Sequence, residues 1–277
     1  MKDNLVYDIG MHNGDDTAYY LSLGYHVVSV EASPDLVEKA ARKFKGAIDG
    51  NRLTILNKGM DATEGYFDFY LNKTDSVWNS FNKELGARGG KGFDVICIQA
   101  VTLASVIEEF GCPYYLKIDI EGYDIFCLDS LLKTREKPEY ISVELSQVEI
   151  IERLKELGYT KFKIIEQWSF LNLELPMSKK YRMQIRHQKF MYSMNFMTRM
   201  ARKLFGKAIR GWYEKQYLPR EQDRRPFGSS GSFGESLPGE WMSEEEAVKV
   251  FSFYVANGKE LTGRDQYEFW ADIHAKK

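Results

Sequence analysis

Two kinds of pattern alternate over roughly the first 166 residues. Compact apolar runs rich in Val and Ile are too short for helices and read as strands. They are LVYDI (5–9), HVVSV (26–30), LTIL (53–56), DVICI (94–98), YYLKIDI (114–120), YISVEL (140–145) and KFKII. Between them, apolar positions fall at helical spacing. DDTAYYLSLG stops at Gly24, TLASVIEEFG at Gly111 and the helix from Ser146 at Gly158, each where a glycine cap is expected. Ser33-Pro34 opens another helix, with serine as N-cap and proline in the first turn, and Ser146-x-x-Glu149 reads as a capping box. A further helix runs through FCLDSLL, and YFDFYL (66–71) alternates as an inserted antiparallel strand does. Strands separated by helices mean βαβ units, so the class is α/β, with a mostly parallel sheet and helices on both faces.

After Pro176 the alternation stops. Residues 181–215 are basic, Met-rich and helix-compatible, and 226–240 (PFGSSGSFGESLPGE) form a Gly/Ser/Pro loop. Ser243 and Glu246 make a second capping box, opening a helix to about Asn257, and the chain ends in YEFWADIHAKK. This pattern predicts a core over 1–175 and an α-rich extension over 176–277, packed on one edge or end of the sheet.

Composition narrows the class without changing it. The 277 residues are 44% hydrophobic and 28% charged with a net charge of -2, which excludes disorder, collagen and coiled coil. The start, MKDNLVYDIG, lacks the apolar stretch of a signal peptide, and no run of ~18 apolar residues reads as a membrane span. Cys97, Cys112 and Cys127 cannot all pair and form no C-x-x-C, so a reduced, cytoplasmic protein is expected. The near-neutral balance hides an asymmetry. Residues 177–225 carry 14 Lys or Arg against three acids, about +11, which leaves about -13 elsewhere.

Candidate chemistry gathers at the carboxyl ends of the strands, where open parallel sheets bind ligands. Three segments converge there: the turn Asp8-Ile9-Gly10-Met11-His12-Asn13-Gly14, the strand end Glu31-Ala32, and Asp119 with Glu121. Glu31 stands about 17 residues past Gly14, where nucleotide-binding sheets place a carboxylate on ribose hydroxyls. A dinucleotide calls for G-x-G-x-x-G, but His12 holds the second glycine's place, and Asp15 and Asp16 stand where a pyrophosphate would lie. A ligand with an ammonium and a sulfonium fits better. S-adenosylmethionine is such a ligand, and Asp8 and Asp119 can hold its cationic end. Lys117, two before Asp119 on a buried strand, reads as an ion-pair partner of these acids rather than a catalytic amine.

The order DIGMHNGDDT, VVSVEASP, NKGMDATEG and LKIDIEGYD resembles the FkbM-type methyltransferases, a branch of the class I S-adenosylmethionine-dependent fold. GSSGSFGE-x-LPG-x-W and FWADIHA also resemble one branch of that family, whereas 177–215 matches least. Many relatives have D-x-G-A-N where this chain has Met11-His12, a departure at the first turn. The resemblance implies a Rossmann-like class I methyltransferase core. It implies that the Gly10–Gly14 turn wraps the methionine part of the cofactor, and that Asp16 or Thr17 meets its carboxylate or amino group. Glu31 would take both ribose hydroxyls, with Met60 and Asp61 beside the adenine. Asp119 would face the methionine amino group or the acceptor.

The family mostly methylates hydroxyls of sugars and polyketide-like natural products, so O-methylation of a small-molecule or glycan acceptor is the expectation. An alcohol must lose its proton. Candidates are Asp119, Glu121, Glu144 and His274, acting directly or through a divalent cation; no zinc-type ligand spacing occurs. Glu121 also reads as the start of a helix, His274 as an exposed terminal side chain and His26 as structural. Two other functions compete, an NAD-dependent oxidoreductase and a non-catalytic sensor or scaffold that binds the adenosine cofactor. In 191–210, Met194, Met197, Met200 and Leu204 share one helical stripe, with Phe205 beside it. The segment reads as a core-facing helix, or as a cover that meets a membrane surface or an anionic, lipid-linked acceptor. The acidity of the whole chain argues against nucleic acid.

Overall fold

A computed structural model describes residues 2–120, 122–167, 169–193, 195–217, 230–262 and 269–277. Within these, β1 (Lys2–Ile9), β2 (His26–Val30), β3 (Leu53–Leu56), β7 (Pro113–Ile118), β8 (Tyr140–Glu144), β9 (Lys161–Glu166), β10 (Leu171–Leu173) and β11 (Ala271–Lys276) form one sheet, in the order β10-β9-β11-β8-β7-β1-β2-β3. The segment from β3 to β8 is parallel, and β11 runs antiparallel to both β8 and β9, its neighbours. This is the class I methyltransferase arrangement expected above. The boundary between 175 and 176 does not divide the sheet, because the last strand returns to its middle. Backbone pairing on both sides makes that strand a structural member of the core rather than part of an appendage.

A second sheet joins β4 (Gly59–Met60), β5 (Gly65–Asn72) and β6 (Phe93–Val101) in the order β4-β6-β5. YFDFYL is the antiparallel insertion expected. DVICI belongs to this small sheet rather than the large one, paired antiparallel from Gly65↔Ala100 to Asn72↔Phe93.

The strands alternate their side chains between two faces, and both faces are covered, which is why they read as continuous apolar runs. One face packs on α5 (Leu103–Phe110), α6 (Asp124–Leu132), α7 (Val148–Glu156), α8 (Lys179–Tyr192) and α10 (Glu244–Thr262), with Tyr7, Ile9, Leu116, Ile118 and Val143 in its core. The other packs on α1 (Asp15–Ser22), α2 (Pro34–Lys43) and α3 (Lys45–Asp49). On this second face each strand turns polar towards its carboxyl end: Val6 gives way to Asp8, Val27 to Ser29 and Glu31, Tyr115 to Lys117, and Tyr140 to Ser142 and Glu144. The switch puts charge where the cavity lies.

The 230–242 segment covers this second face. Phe233 stacks on Tyr115 with ring centroids 3.9 Å apart and a 9° interplanar angle, and Tyr20, Tyr25, Tyr114 and Tyr140 also surround it. Glu235 accepts from Trp241 Nε1 at 2.9 Å and Tyr140 Oη at 3.2 Å. The described part of that run, Ser230 to Glu235, is thus a fixed plug, while Gly228 and Ser229 lie outside the described residues.

The caps divide. Ser243 and Glu246 form their reciprocal box, with the Ser243 N–H donating to Glu246 Oε2 at 2.8 Å and the Glu246 N–H to Ser243 Oγ at 3.4 Å. At α7 the N-cap is Gln147 with no side-chain bond, so Ser146 and Glu149 make no box. α10 reaches Thr262, five residues beyond the expected end. The small α4 (Lys83–Gly86) sits in the β5–β6 connection, and α9 (Phe196–Tyr217) follows α8 in the basic segment.

Candidate functional site

A cavity of about 560 Å³ opens at the carboxyl ends of β1, β2, β7 and β8. The turn after β1 forms its floor. Gly10 has φ +82°, and a Cβ there would lie 1.8 Å from the Asp119 carbonyl oxygen, so only glycine lets β1 and β7 close together. The Gly10 and Met11 N–H groups both donate to the Val30 carbonyl at 3.0 Å, which folds the turn over the end of β2. His12 follows with φ 51°, left-handed backbone that few non-glycine residues adopt. That conformation sends its N–H to Glu31 Oε2 at 2.8 Å and its Nε2 to Ser76 Oγ at 2.8 Å. Position 12 therefore ties the first turn to the β5–β6 insertion. Burial lowers the imidazole pKa more than the charges of Asp119 and Asp75 raise it, so the ring is neutral at neutral pH.

Glu31 is buried at the end of β2. Its Oε1 accepts the Ser33 N–H at 2.8 Å and its Oε2 that of His12, so each oxygen keeps a lone pair. Burial raises its pKa against those two donors.

Beneath the floor lies a charged cluster. Lys117 Nζ is 3.2 Å from Asp8 Oδ1, 3.4 Å from Asp16 Oδ2, 3.5 Å from Asp119 Oδ2 and 3.3 Å from the Gly10 carbonyl. Burial alone would lower the ammonium's pKa; Asp8, Asp119 and Asp16 outweigh it and hold it well above the ordinary value. The ion-pair reading of Lys117 is the one observed.

The expected site residues separate by depth. Gly10, Met11, His12, Asn13, Asp16, Glu31, Ala32, Met60, Asp119 and Glu144 line the cavity. Asp8 does not reach it: the side chain is fully buried, with Oδ2 accepting from Thr17 Oγ1 at 2.6 Å and Oδ1 facing Lys117. Thr17 is buried with it and also meets Ser29 Oγ at 2.8 Å. Gly14 packs on Phe44, and Asp61 turns back to accept the Ala62 N–H at 2.6 Å. Asp16 is engaged by the C-terminal segment, its carboxylate accepting the N–H groups of Ser230 at 3.1 Å and Gly231 at 2.9 Å. Asp119 keeps 37% of its side chain exposed, which makes it the acid of the cluster open to a ligand.

His274 is neither exposed nor at the cavity. It is buried within β11, in register with Ser142 and Lys163, because the strand it belongs to lies between β8 and β9. Glu121 lies outside the described residues. Among the described residues no group of three or more His, Cys, Asp or Glu is placed to hold a metal ion. The carboxylates that could have gathered one converge on the Lys117 ammonium instead.

Further walls come from side chains to which the sequence reading gave no role. Ser76, Trp78, Phe81 and Arg88 line the cavity, as do Tyr123 and Trp270. For Ser76, Trp78 and Phe81 the sequence signal is the aromatic and polar run SVWNSF in a connection too long for a plain turn, whereas Tyr123 and Trp270 fall within the LKIDIEGYD and FWADIHA stretches.

The chain was compared with known proteins. Solved structures similar to the chain include the FkbM methyltransferase of Methylobacillus flagellatus, 16% identical over 51% of this chain and 32% of that one, with TM-score 0.36. They include the C-terminal domain of precorrin-6Y C5,15-methyltransferase from Rhodobacter capsulatus (12% identity, 57% and 62% covered, TM-score 0.32). A third is phosphoethanolamine N-methyltransferase 2 from Haemonchus contortus, in complex with S-adenosyl-L-methionine (11% identity, 100% and 49% covered, TM-score 0.38). The chain thus spans about a third of the first of these and about half of the last. No curated protein matches the sequence. The methyltransferase FkbM domain matches residues 8–168, a span that holds the Gly10 turn, Glu31, Lys117, Asp119 and Glu144; the chain belongs to the FkbM methyltransferase family.

Proposed function

We propose that the protein is an S-adenosylmethionine-dependent methyltransferase that methylates a hydroxyl of a sugar, glycan or natural-product-type acceptor. The observation that carries the reading is Glu31, a buried carboxylate on the cavity wall with both oxygens oriented by backbone N–H groups and one lone pair left on each. Two adjacent hydroxyls of a ribose match that acceptor pair. Ala32 and Met60 offer apolar surface beside it for a base. Asp119, the part-exposed acid of the cluster, suits the ammonium of an amino acid. Asp15 and Asp16 at the start of α1 disfavour the pyrophosphate of NAD.

When bound, the cofactor supplies a methyl group on a sulfonium, a good leaving group. What remains for the chain is alignment, exclusion of water and the fate of the hydroxyl proton. Trp78, Phe81 and Tyr123 give the cavity walls that hold a sugar-like or planar acceptor face and shed water. Three groups on the wall can take the proton: Asp119, Glu144 and the neutral His12. His274, expected for this role from sequence, is too far inside the sheet. No cation is invoked.

Calorimetry with S-adenosylmethionine and NAD, followed by methyl turnover on a panel of alcohol acceptors, tests the reading. Binding of the first and not the second, with turnover, supports it. NAD binding would return the oxidoreductase, and cofactor binding without turnover on any acceptor the sensor.

A further inference from the structure

The basic segment poses a separate question. α9 repeats Met197, Met200, Leu204, Ala208 and Trp212 at spacings of three or four, one face of a helix. The face points away from the protein. Met197 is 73% exposed, Leu204 69%, Phe205 58% and Trp212 54%, so the core-facing reading of this helix does not hold. The opposite side of α9 is the one that packs: Arg202 Nη1 donates to the carbonyls of Phe190 at 2.9 Å and Met191 at 2.5 Å, on α8. Lys203, Lys207 and Arg210, all exposed, run along one flank of the apolar stripe. Together α8 and α9 carry 11 Lys or Arg and one acid, Glu214.

An outward apolar stripe of this size signals a contact surface. A stripe beside a row of cations, on a long helix held to the body from behind, has the layout of a helix that lies in a lipid–water interface. No helix of the described residues is long and apolar enough to cross a membrane, so the contact is peripheral. We propose that α9 docks the protein on a bilayer containing anionic lipid. Phe205, Leu204 and Trp212 enter the acyl boundary, and Lys203, Lys207 and Arg210 meet headgroup phosphates. A second copy of this chain would present the same cations and repel, and single-stranded nucleic acid would leave the aliphatic stripe uncovered. The proposal concerns binding alone and stands or falls apart from methyl transfer.

The test is sedimentation of the full chain with phosphatidylcholine vesicles, with and without phosphatidylglycerol, at low and high salt. Wild type should pellet with the anionic vesicles, less so at high salt, and brominated lipid should quench fluorescence that Trp212→Phe lacks. Leu204→Glu/Phe205→Glu and Lys203→Glu/Lys207→Glu/Arg210→Glu should each lower partitioning more than ~tenfold. All five positions are exposed, so folding is expected to survive, and circular dichroism checks it. The proposal is overturned by no vesicle binding, equal binding to neutral and anionic vesicles, wild-type binding by the Leu204/Phe205 variant, or a solution dimer that this variant dissociates. Binding of single-stranded RNA without vesicle binding does the same.

Discussion

The backbone N–H of Gly231 donates to Oδ1 of Asp16 at 2.9 Å, across 215 positions of sequence. Ser230 meets the other oxygen, so one carboxylate at the start of α1 holds the C-terminal segment down over the polar end of the sheet. Asp16→Ala removes both charge-assisted bonds and one partner of Lys117. The expected cost is about 2–4 kcal/mol in urea unfolding, together with faster proteolysis near 230–242. Asp16→Asn should lose less, since it keeps one acceptor. Equal stability of Asp16→Ala and wild type would show that Phe233 alone seats the segment.

Lys117 is the next test. Lys117→Met leaves Asp8 and Asp16 buried without their cation, and breaking such a cluster from one side should cost about 3–5 kcal/mol. Lys117→Met/Asp8→Asn should recover part of that loss. A double variant that loses the sum of the two single effects would mean the pair is not coupled.

A third expectation is a pH profile. Burial, reinforced by the charge of Asp119, pushes the Asp272 carboxyl from 3.8 up to about 8, while Lys117 opposes the shift and Asp16 adds to it. Between those values the folded state holds a proton that the unfolded chain has lost. This contribution therefore makes stability fall as pH rises through that window. Asp272→Asn removes the titration, so its Tm should decline less than wild type's between about pH 5 and pH 8. Parallel profiles for the two proteins would contradict it.

Much of the frame was legible in the sequence because a parallel sheet buried on both faces leaves continuous apolar runs. The Gly10 turn and Glu31 were legible because their positions follow from chain geometry at the end of a strand. Roles set by distant partners were not. His12 owes its conformation to Glu31 and to Ser76, 64 residues on. Asp8 sits two residues before Gly10 yet faces inward, because Lys117 and Thr17 meet it below the floor. β11 alternates Asp272 and His274 with Ala271, Ile273 and Ala275, a two-residue period, but nothing local tells that it enters the middle of the sheet. DVICI has a strand's composition and joins the smaller sheet, a choice made by β5.

The acceptor proton gives a fourth expectation. Among His12→Ala, Asp119→Ala and Glu144→Ala, one should lower kcat by ~100-fold or more at saturating cofactor, the usual worth of a general base. Wild-type rates in all three would mean that alignment suffices.

The central claim is that the cavity takes S-adenosylmethionine with Glu31 on the ribose, and titration calorimetry of Glu31→Ala against wild type tests it most directly. Losing a carboxylate that accepts two hydroxyls should cost about 2–3 kcal/mol, a ~30- to 150-fold weaker Kd. Thermal unfolding without ligand checks that the variant is folded. The account predicts that loss in a folded variant; unchanged affinity would contradict it.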